Sequence, residues 1–448
     1  MASSTSLLFP VFTFFSFLFL ASSSKDNTPA TITIPLTSTF TNKPSTEPLL
    51  FLQHLAISSL SRAHQLKYGK ASPLTQISLF PHSYGGHSIP LSFGTPPQKL
   101  SFLVDTGSEV VWAPCTTHYT CTNCSFSPKK APIFNPKLSS SYKILECRNP
   151  KCSVGCPRCN GKSKNCSHAC PQYSLQYGTG SASGFFLLEN LNFARKTIHK
   201  FLVGCTTSAA HQPTSDAYAG FGRTMFSLPM QMGVKKFAYC LNSHDYDDTR
   251  NSSQLILDYS DGQTKGLSYA PFLKNPHDYP GYYYLGVKDI RIGNKLLRIP
   301  SKYLAPGSDG RGGLMIDSGF AYGYMTRPVF KIVTNELKKQ MSRYRRSLEL
   351  EILSGLTPCY NFTGHKSIKI PDLIYQFRGG ANMVVPGKNY FEFPEISFAC
   401  FPFVTDAGTN TLEFTPGPSI ILGNNQHVDY YVEFDLKNER LGFRQQTC

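Results

Sequence analysis

The feature that most limits what this chain can fold into is the stretch Phe102-Leu103-Val104-Asp105-Thr106-Gly107-Ser108. Three apolar residues run into an Asp-Thr-Gly corner, and Val110, Val111 and Trp112, the only tryptophan, lead out of it. Such a pattern reads as a buried strand ending in a tight turn, which puts a carboxylate at a strand end on the edge of a core. The stretch has one echo, Leu314-Met315-Ile316-Asp317-Ser318-Gly319, with its aspartate 212 positions later. Each corner is followed at a distance by an apolar-Gly segment, Tyr218-Ala219-Gly220-Phe221-Gly222 and Ile420-Ile421-Leu422-Gly423. Two such units imply two halves that each bring one carboxylate to a shared site, although the sequence around them repeats little. At 448 residues the chain also exceeds what one hydrophobic core usually serves, so two lobes are expected on size alone.

Two carboxylates brought into contact do not both ionise freely; they share a proton and their pKa values separate. The ionised partner can take a proton from a water held between them while the protonated partner donates to a substrate carbonyl oxygen. Neither a covalent intermediate nor a metal is required by that chemistry. An isolated Asp-Thr-Gly-Ser, however, is also an ordinary turn sequence.

Further motifs separate the two readings. Tyr177-Gly178-Thr179-Gly180-Ser181 lies between the corners, and Phe93-Gly94-Thr95-Pro96-Pro97-Gln98 precedes the first. Together with the corners and the apolar-Gly segments, they resemble the pepsin-like aspartic proteases, and most closely the plant nepenthesin-like branch, over about residues 84–448. The resemblance implies an all-β dominated, bilobal fold with a few short helices. It assigns residues 84–265 to an N-terminal lobe with a Cys-rich insertion and 266–448 to a C-terminal lobe. It makes Asp105 and Asp317 the catalytic pair and Tyr177, Gly178 and Thr179 the hairpin flap over the substrate, with Trp112 packed near the flap tyrosine. Thr106, Gly107, Ser108, Ser318 and Gly319 become loop support: the Thr106 and Ser318 hydroxyls hold the two corners together, and Ser108 donates to the outer oxygen of Asp105. For Trp112, plain core packing is compatible with the same role.

Compartment is read from the first residues and from cysteine usage. The apolar run Leu7–Leu20, followed by Ala21 and serines, has signal-peptide length and is too short to span a bilayer, although no Lys or Arg precedes it. Residues 1–24 are therefore expected to be a signal peptide and the product to be secreted, to the extracellular space or cell wall, with the vacuole as the alternative. No second run of spanning length appears and Arg444–Cys448 is polar, so no membrane anchor is expected. Fourteen cysteines in a secreted chain are most simply paired, and nine of them, from Cys115 to Cys170, fall between the first aspartate and the flap. Zinc is the rival for the C-x2-C pairs Cys121/Cys124 and Cys156/Cys159, but an oxidising compartment disfavours it, and neither metal nor cofactor is expected. The family resemblance puts forward Cys205 with Cys448 and Cys359 with Cys400. Glycosylation sequons stand at Asn123, Asn165, Asn251 and Asn361.

Residues 25–83 are rich in Thr, Ser and Pro, with one helix-like segment from Leu49 to Tyr68 carrying Arg62 and Lys67, and Lys70 just beyond. By resemblance they form a propeptide lying across the cleft, whose basic residues pair with the catalytic carboxylates at neutral pH and lose them in acid; a disordered linker is the alternative. Farther on, the apolar spacing of Phe330, Val333, Leu337 and Met341 predicts a helix over 327–349. The formal charge is +16, of which residues 1–82, with five Lys/Arg and two Asp/Glu, carry little. Such a surface suits acidic surroundings or substrates, and a secretory route makes nucleic acid an improbable partner.

One position departs from the family. After the second Asp-Ser-Gly, where the family places Thr or Ser, the chain has Phe320. The missing donor is expected to raise the Asp317 pKa, and the ring to crowd the cleft floor. The function expected is a monomeric aspartic endopeptidase acting on protein or peptide substrates at acidic pH. The alternative is a weak or inactive protein of the same fold that binds a protein partner, as the cereal xylanase inhibitors do.

Overall fold

The computed structural model describes residues 31–38, 48–68, 86–154, 169–177, 180–193, 196–241, 253–406 and 416–448. Strands dominate, helices are few and the architecture is bilobal. Strand β1 spans Thr31–Ser38, helix α1 Pro48–Tyr68, β2 His87–Phe93, β3 Gln98–Asp105 and β4 Trp112–Pro114.

β2 and β3 form the hairpin that aims the first corner. Ile89, Leu91 and Phe93 alternate into the core, and Leu91 pairs with Leu100. Gly94, at φ 98, starts the turn between the strands, a conformation open to glycine. β3 then runs parallel to Ala217–Gly220, with Gly220 opposite Asp105. The second half repeats the arrangement: Leu314–Ile316 runs parallel to Ile420–Leu422. Each apolar-Gly segment is thus the parallel neighbour of one aspartate strand. Strands buried on both faces read as continuous apolar runs, as these four do.

The halves are joined by a single sheet. Within it Lys236–Cys240 lies between Ser253–Asp258 and Tyr430–Asp435, and Arg440–Gln445 links Tyr430–Asp435 to Ser268–Pro271. The expected lobe boundary at 265/266 therefore falls inside shared architecture, where sequence runs alone give no sign of pairing between halves. Phe237 stacks on Phe434 with ring centroids 4.5 Å apart, so the core is continuous across the sheet.

β1 enters the same sheet between Ser253–Asp258 and β2, pairing antiparallel with both. The linker reading fails for this segment and for α1. The apolar face of α1, Leu52, Leu55, Ala56, Ala63 and Leu66, recurs at helical spacing and packs on Phe320, Tyr322 and Tyr324.

The helix expected over 327–349 is shorter than its spacing indicates: Arg327–Gln340 ends at the C-cap Met341, and Leu348–Ser354 begins a separate helix with Ser347 accepting from the Leu350 amide. Between them Arg345–Arg346 pairs with Tyr360 and Asn361, and this sheet contact outweighs helical propensity.

The disulfide pattern corrects one pairing. Cys205 is bonded to Cys115, and Cys448 to Cys240, so the Cys205–Cys448 pair does not exist. The reason is local: β4 runs parallel to Lys196–Ala210, which sets Ala113 opposite Cys205 and Cys115 beside it. Cys359–Cys400 is bonded, across directly paired strand positions, and so is Cys152–Cys170. Cys121 and Cys124 are bonded to each other, which leaves that C-x2-C no thiolates for zinc. Cys156, Cys159 and Cys166 lie outside the described residues.

Candidate active site

The two corners meet back to back. The Ser318 amide donates to the Thr106 hydroxyl at 2.8 Å, and the Thr106 amide to the Ser318 hydroxyl at 3.2 Å. The Ser318 hydroxyl also donates to the Val104 carbonyl. Each aspartate is fixed in the same way by its own corner: the Gly107 amide donates to Asp105 Oδ1 and the Gly319 amide to Asp317 Oδ1, both at 2.9 Å. From below, the Phe221 amide donates to the Asp105 carbonyl and the Asp317 amide to the Leu422 carbonyl.

The glycines in these corners are there because of the opposite carboxylate. A Cβ on Gly107 would come within 2.4 Å of Asp317 Oδ2, and one on Gly319 within 2.3 Å of Asp105 Oδ1. No side chain fits between corner and carboxylate, so the two acids face each other at close range. Asp105 and Asp317 are 3% and 0% exposed. Burial, the larger cause, raises the Asp317 pKa to about 6; Arg62 opposes it and the neighbouring Asp105 adds to it.

Arg62 of α1 enters this pair. Its Nη2 donates to Asp105 Oδ1 at 2.8 Å and Oδ2 at 2.9 Å, and stands 3.5 Å from Asp317 Oδ2. The guanidinium therefore fills the place from which a small polar molecule would contact both carboxylates. Although burial alone works against the charge, the two aspartates raise the Arg62 pKa above its ordinary value.

Not every expected contact forms. Ser108 Oγ has no hydrogen-bond partner among the described residues, so it does not donate to Asp105; Arg62 takes both Asp105 oxygens instead. Phe320 is wholly buried, in the apolar cluster that also holds the inward face of α1. The rise at Asp317 has burial as its leading cause, whereas the sequence argument placed it in the missing hydroxyl.

On the opposite wall, Trp112 Nε1 donates to the Tyr177 hydroxyl at 2.5 Å. Tyr218 stacks on Trp112 with centroids 4.9 Å apart and lies 4.8 Å from Tyr177. This triad fixes the Tyr177 ring against Trp112 and Tyr218; Gly178 and Thr179, expected to continue the flap, lie outside the described residues. Of the sequons, Asn123 is exposed with φ 52 and Asn361 is half-buried in a strand, while Asn165 and Asn251 lie outside the described residues.

Several groups at the cleft were not found by sequence reasoning. Asp406 stands 3.2 Å from His64 Nε2 and accepts from the Tyr324 hydroxyl at 2.6 Å. Lys67 donates to Tyr324 rather than to a catalytic carboxylate. The Tyr279 and Tyr282 hydroxyls donate to the carbonyls of Lys67 and Leu66. No motif marks these residues; the tyrosine cluster at 279–284 is the only signal, and it is compositional. Lys70 lies outside the described residues.

Residues 87–257 match the family described as xylanase inhibitor N-terminal, and residues 282–445 the family described as xylanase inhibitor C-terminal. A probable aspartyl protease of Arabidopsis thaliana is 29% identical over 428 residues, covering 83% of this chain and 84% of the relative. Aspartic proteinase nepenthesin-1 of Nepenthes gracilis is 29% identical over 373 residues, covering 81% and 78%. Among solved structures, edgp superposes with TM-score 0.62 at 19% identity, covering 93% of this chain and 95% of that one. Basic 7S globulin from soybean gives 0.60 at 18% identity, covering 93% and 97%; at such identities the likeness concerns the fold. Two aspartates on interlocked corners and matched sequence through both lobes make this chain a member of the plant pepsin-like aspartic protease family.

Proposed function

We propose that the protein is an aspartic endopeptidase made in a blocked form, with α1 as the block. The observation that carries this reading is Arg62 on both carboxylates, because a cation at that point keeps water and substrate away from the pair. With α1 withdrawn, a water takes its place. Asp317, whose pKa is raised to about 6 by burial, is the protonated member, and Asp105 accepts a proton from the water as its oxygen attacks the peptide carbonyl. Asp317 donates to the carbonyl oxygen; the tetrahedral intermediate then collapses, the carbon–nitrogen bond breaks, the amine leaves with the proton that Asp105 took from the water, and a hydroxyl of the intermediate returns a proton to Asp317 as the carbonyl re-forms. The Trp112–Tyr177 contact holds the flap where it can shield this step from solvent.

The test is digestion of a denatured protein by the full-length chain after transfer to acid, with and without pepstatin, beside an Asp105→Asn chain. Cleavage that pepstatin stops and Asp105→Asn lacks supports the proposal; absence of cleavage at every pH overturns it. The second reading, a binding protein of the same fold, draws on Phe320 at the family's hydroxyl position and on the xylanase inhibitor description of both matched regions. Tight complex formation with a partner enzyme, without hydrolysis, would establish it.

We also propose secretion, a zymogen form and glycosylation of the exposed Asn123, supported by the leader at residues 1–24 and by the disulfides. N-terminal sequencing and glycosidase treatment of the protein recovered from the medium test all three.

A further inference from the structure

Five residues beyond Arg62 on the same helix, a second cation is buried in the cleft. Lys67 is 0% exposed. Its Nζ donates to the Tyr324 hydroxyl at 2.5 Å, lies 3.8 Å from Asp406 Oδ2 and sits 4.5 Å from the centre of the Tyr324 ring. The backbone is anchored beside it, since Tyr279 donates to the Lys67 carbonyl and Tyr282 to that of Leu66. Gly417 leaves room for the stem: a Cβ there would stand 2.7 Å from the Lys67 Cα. A carboxylate, a phenol and an aromatic face thus converge on one ammonium in a slot of the cleft wall.

The slot is dry enough to make its charge a selective feature. Burial lowers the Lys67 pKa to about 8, and Asp406 works against that loss. Burial alone would raise Asp406, yet His64, Lys67 and Tyr324 together hold it below the ordinary carboxylate value. Withdrawal of α1 removes His64 and Lys67 at once and leaves the Asp406 carboxylate and the Tyr324 hydroxyl open to another cation.

We propose that Asp406 and Tyr324 form a substrate pocket for a basic side chain, lysine above all, so that the enzyme selects substrates carrying a cation near the bond that is cut. The proposal rests on the endopeptidase reading above and adds a charged subsite to it. Helical rise places Lys67 about 7.5 Å along the axis from Arg62. An extended substrate advances about 3.3 Å per residue, so the basic residue belongs two or three positions from the scissile bond. Tyr279 and Tyr282 then donate to substrate carbonyls as they do to those of α1.

The experiment compares peptides that differ only by Lys, norleucine or Glu at each of three positions on either side of the cut, incubated with the full-length chain after acid treatment and return to about pH 5, where a carboxylate is ionised. At one of the two or three positions named, kcat/KM for Lys is expected to exceed that for norleucine at least tenfold. Asp406→Asn is expected to bring this ratio to about one, and Asp406→Lys to turn it toward Glu, a reversal that a misfolded pocket would not give. A flat Lys-to-norleucine ratio in a chain that cleaves, or a preference that survives Asp406→Asn, overturns the pocket. Where the chain cleaves nothing, the endopeptidase reading fails and binding decides the pocket. A full-length chain carrying Arg62→Ala and Lys67→Ala is titrated with a labelled peptide of residues 60–68, against the same peptide with norleucine at position 67. At least tenfold tighter binding of the lysine peptide, lost with Asp406→Asn, supports the pocket, and equal binding overturns it.

Discussion

Phe320 and Arg62 show how single side chains set the state of the site. Phe320 is completely buried in the same apolar cluster as Leu52, Leu55 and Ala56 of α1, so its main effect is on packing. Phe320→Thr removes most of a ring from that contact and is expected to cost about 2–4 kcal/mol of stability, read as a lower urea midpoint. It also weakens the seat of α1, so acid-induced release of the segment is expected to move to higher pH; an unchanged release profile would detach Phe320 from the block. Arg62→Ala removes the cation that both carboxylates contact. Hydrolysis by the full-length variant near pH 6, where the parent chain is silent, is the outcome expected in a continuous assay. The readable part at this scale was the identity of the two acids and of Thr106 and Ser318. Which cation would reach the dyad was not readable, since Arg62, Lys67 and Lys70 all lie on one basic stretch of sequence and only the phase of α1 separates Arg62 from Lys67.

At the scale of elements, the motifs that were legible are those whose geometry is local. The Gly293-Asn294 pair marks a tight hairpin turn, and Ile292 pairs with Lys295 around it, with Gly293 at φ 52. The β2–β3 hairpin is equally plain from the alternation of Ile89, Leu91 and Phe93. β1 was not legible, because its partners Ser253–Asp258 lie more than 200 residues away. Once the segment bearing β1 is cleaved off, Ser253–Asp258 loses one of its two hydrogen-bonded neighbours. Its amides are then expected to exchange with solvent faster than those of Tyr430–Asp435, measured by hydrogen exchange before and after acid processing. On the opposite wall, Trp112→Phe keeps an aromatic ring but removes the donor to Tyr177. If that bond positions the flap, kcat/KM falls about tenfold with the stability curve nearly unmoved.

For the molecule as a whole, pH acts on folding stability through two buried acids with opposite signs. Asp317, raised to about 6, contributes stability that is fully present below the unfolded value near 3.9 and lost as pH rises through about 6. Asp406, held low by His64, Lys67 and Tyr324 against its burial, contributes stability above that unfolded value and loses it as pH falls through its lower folded value. The anchor of α1 at Asp406 therefore fails in acid, and the full-length chain is expected to remain latent at pH 7 and to open below about pH 4. Fluorescence of Trp112, the chain's single tryptophan, followed against pH beside an Asp406→Asn chain, checks this; identical curves would break the link.

The Cys240–Cys448 bond closes a span of 208 residues across the joined halves. Replacing both cysteines by serine is expected to cost about 2–5 kcal/mol, seen as a lower denaturation midpoint under non-reducing conditions.

Sequence by itself determined the pair of strand-and-corner units, the two aspartates, the flap tyrosine and the strand-rich bilobal class. The strand-and-corner units and their aspartates depend on short-range rules of periodicity, turn chemistry and burial that operate within about ten residues, while the flap tyrosine and the bilobal class follow from the resemblance to a known family. Only the tertiary structure decided that Cys205 meets Cys115 and that both halves share one sheet. It alone decided, too, that an arginine rests on the dyad while Asp406 receives a lysine from the same helix. Those contacts join residues far apart in the chain, and their partners are selected by how sheets, helix phase and buried charge fit together in space, which local pattern does not encode.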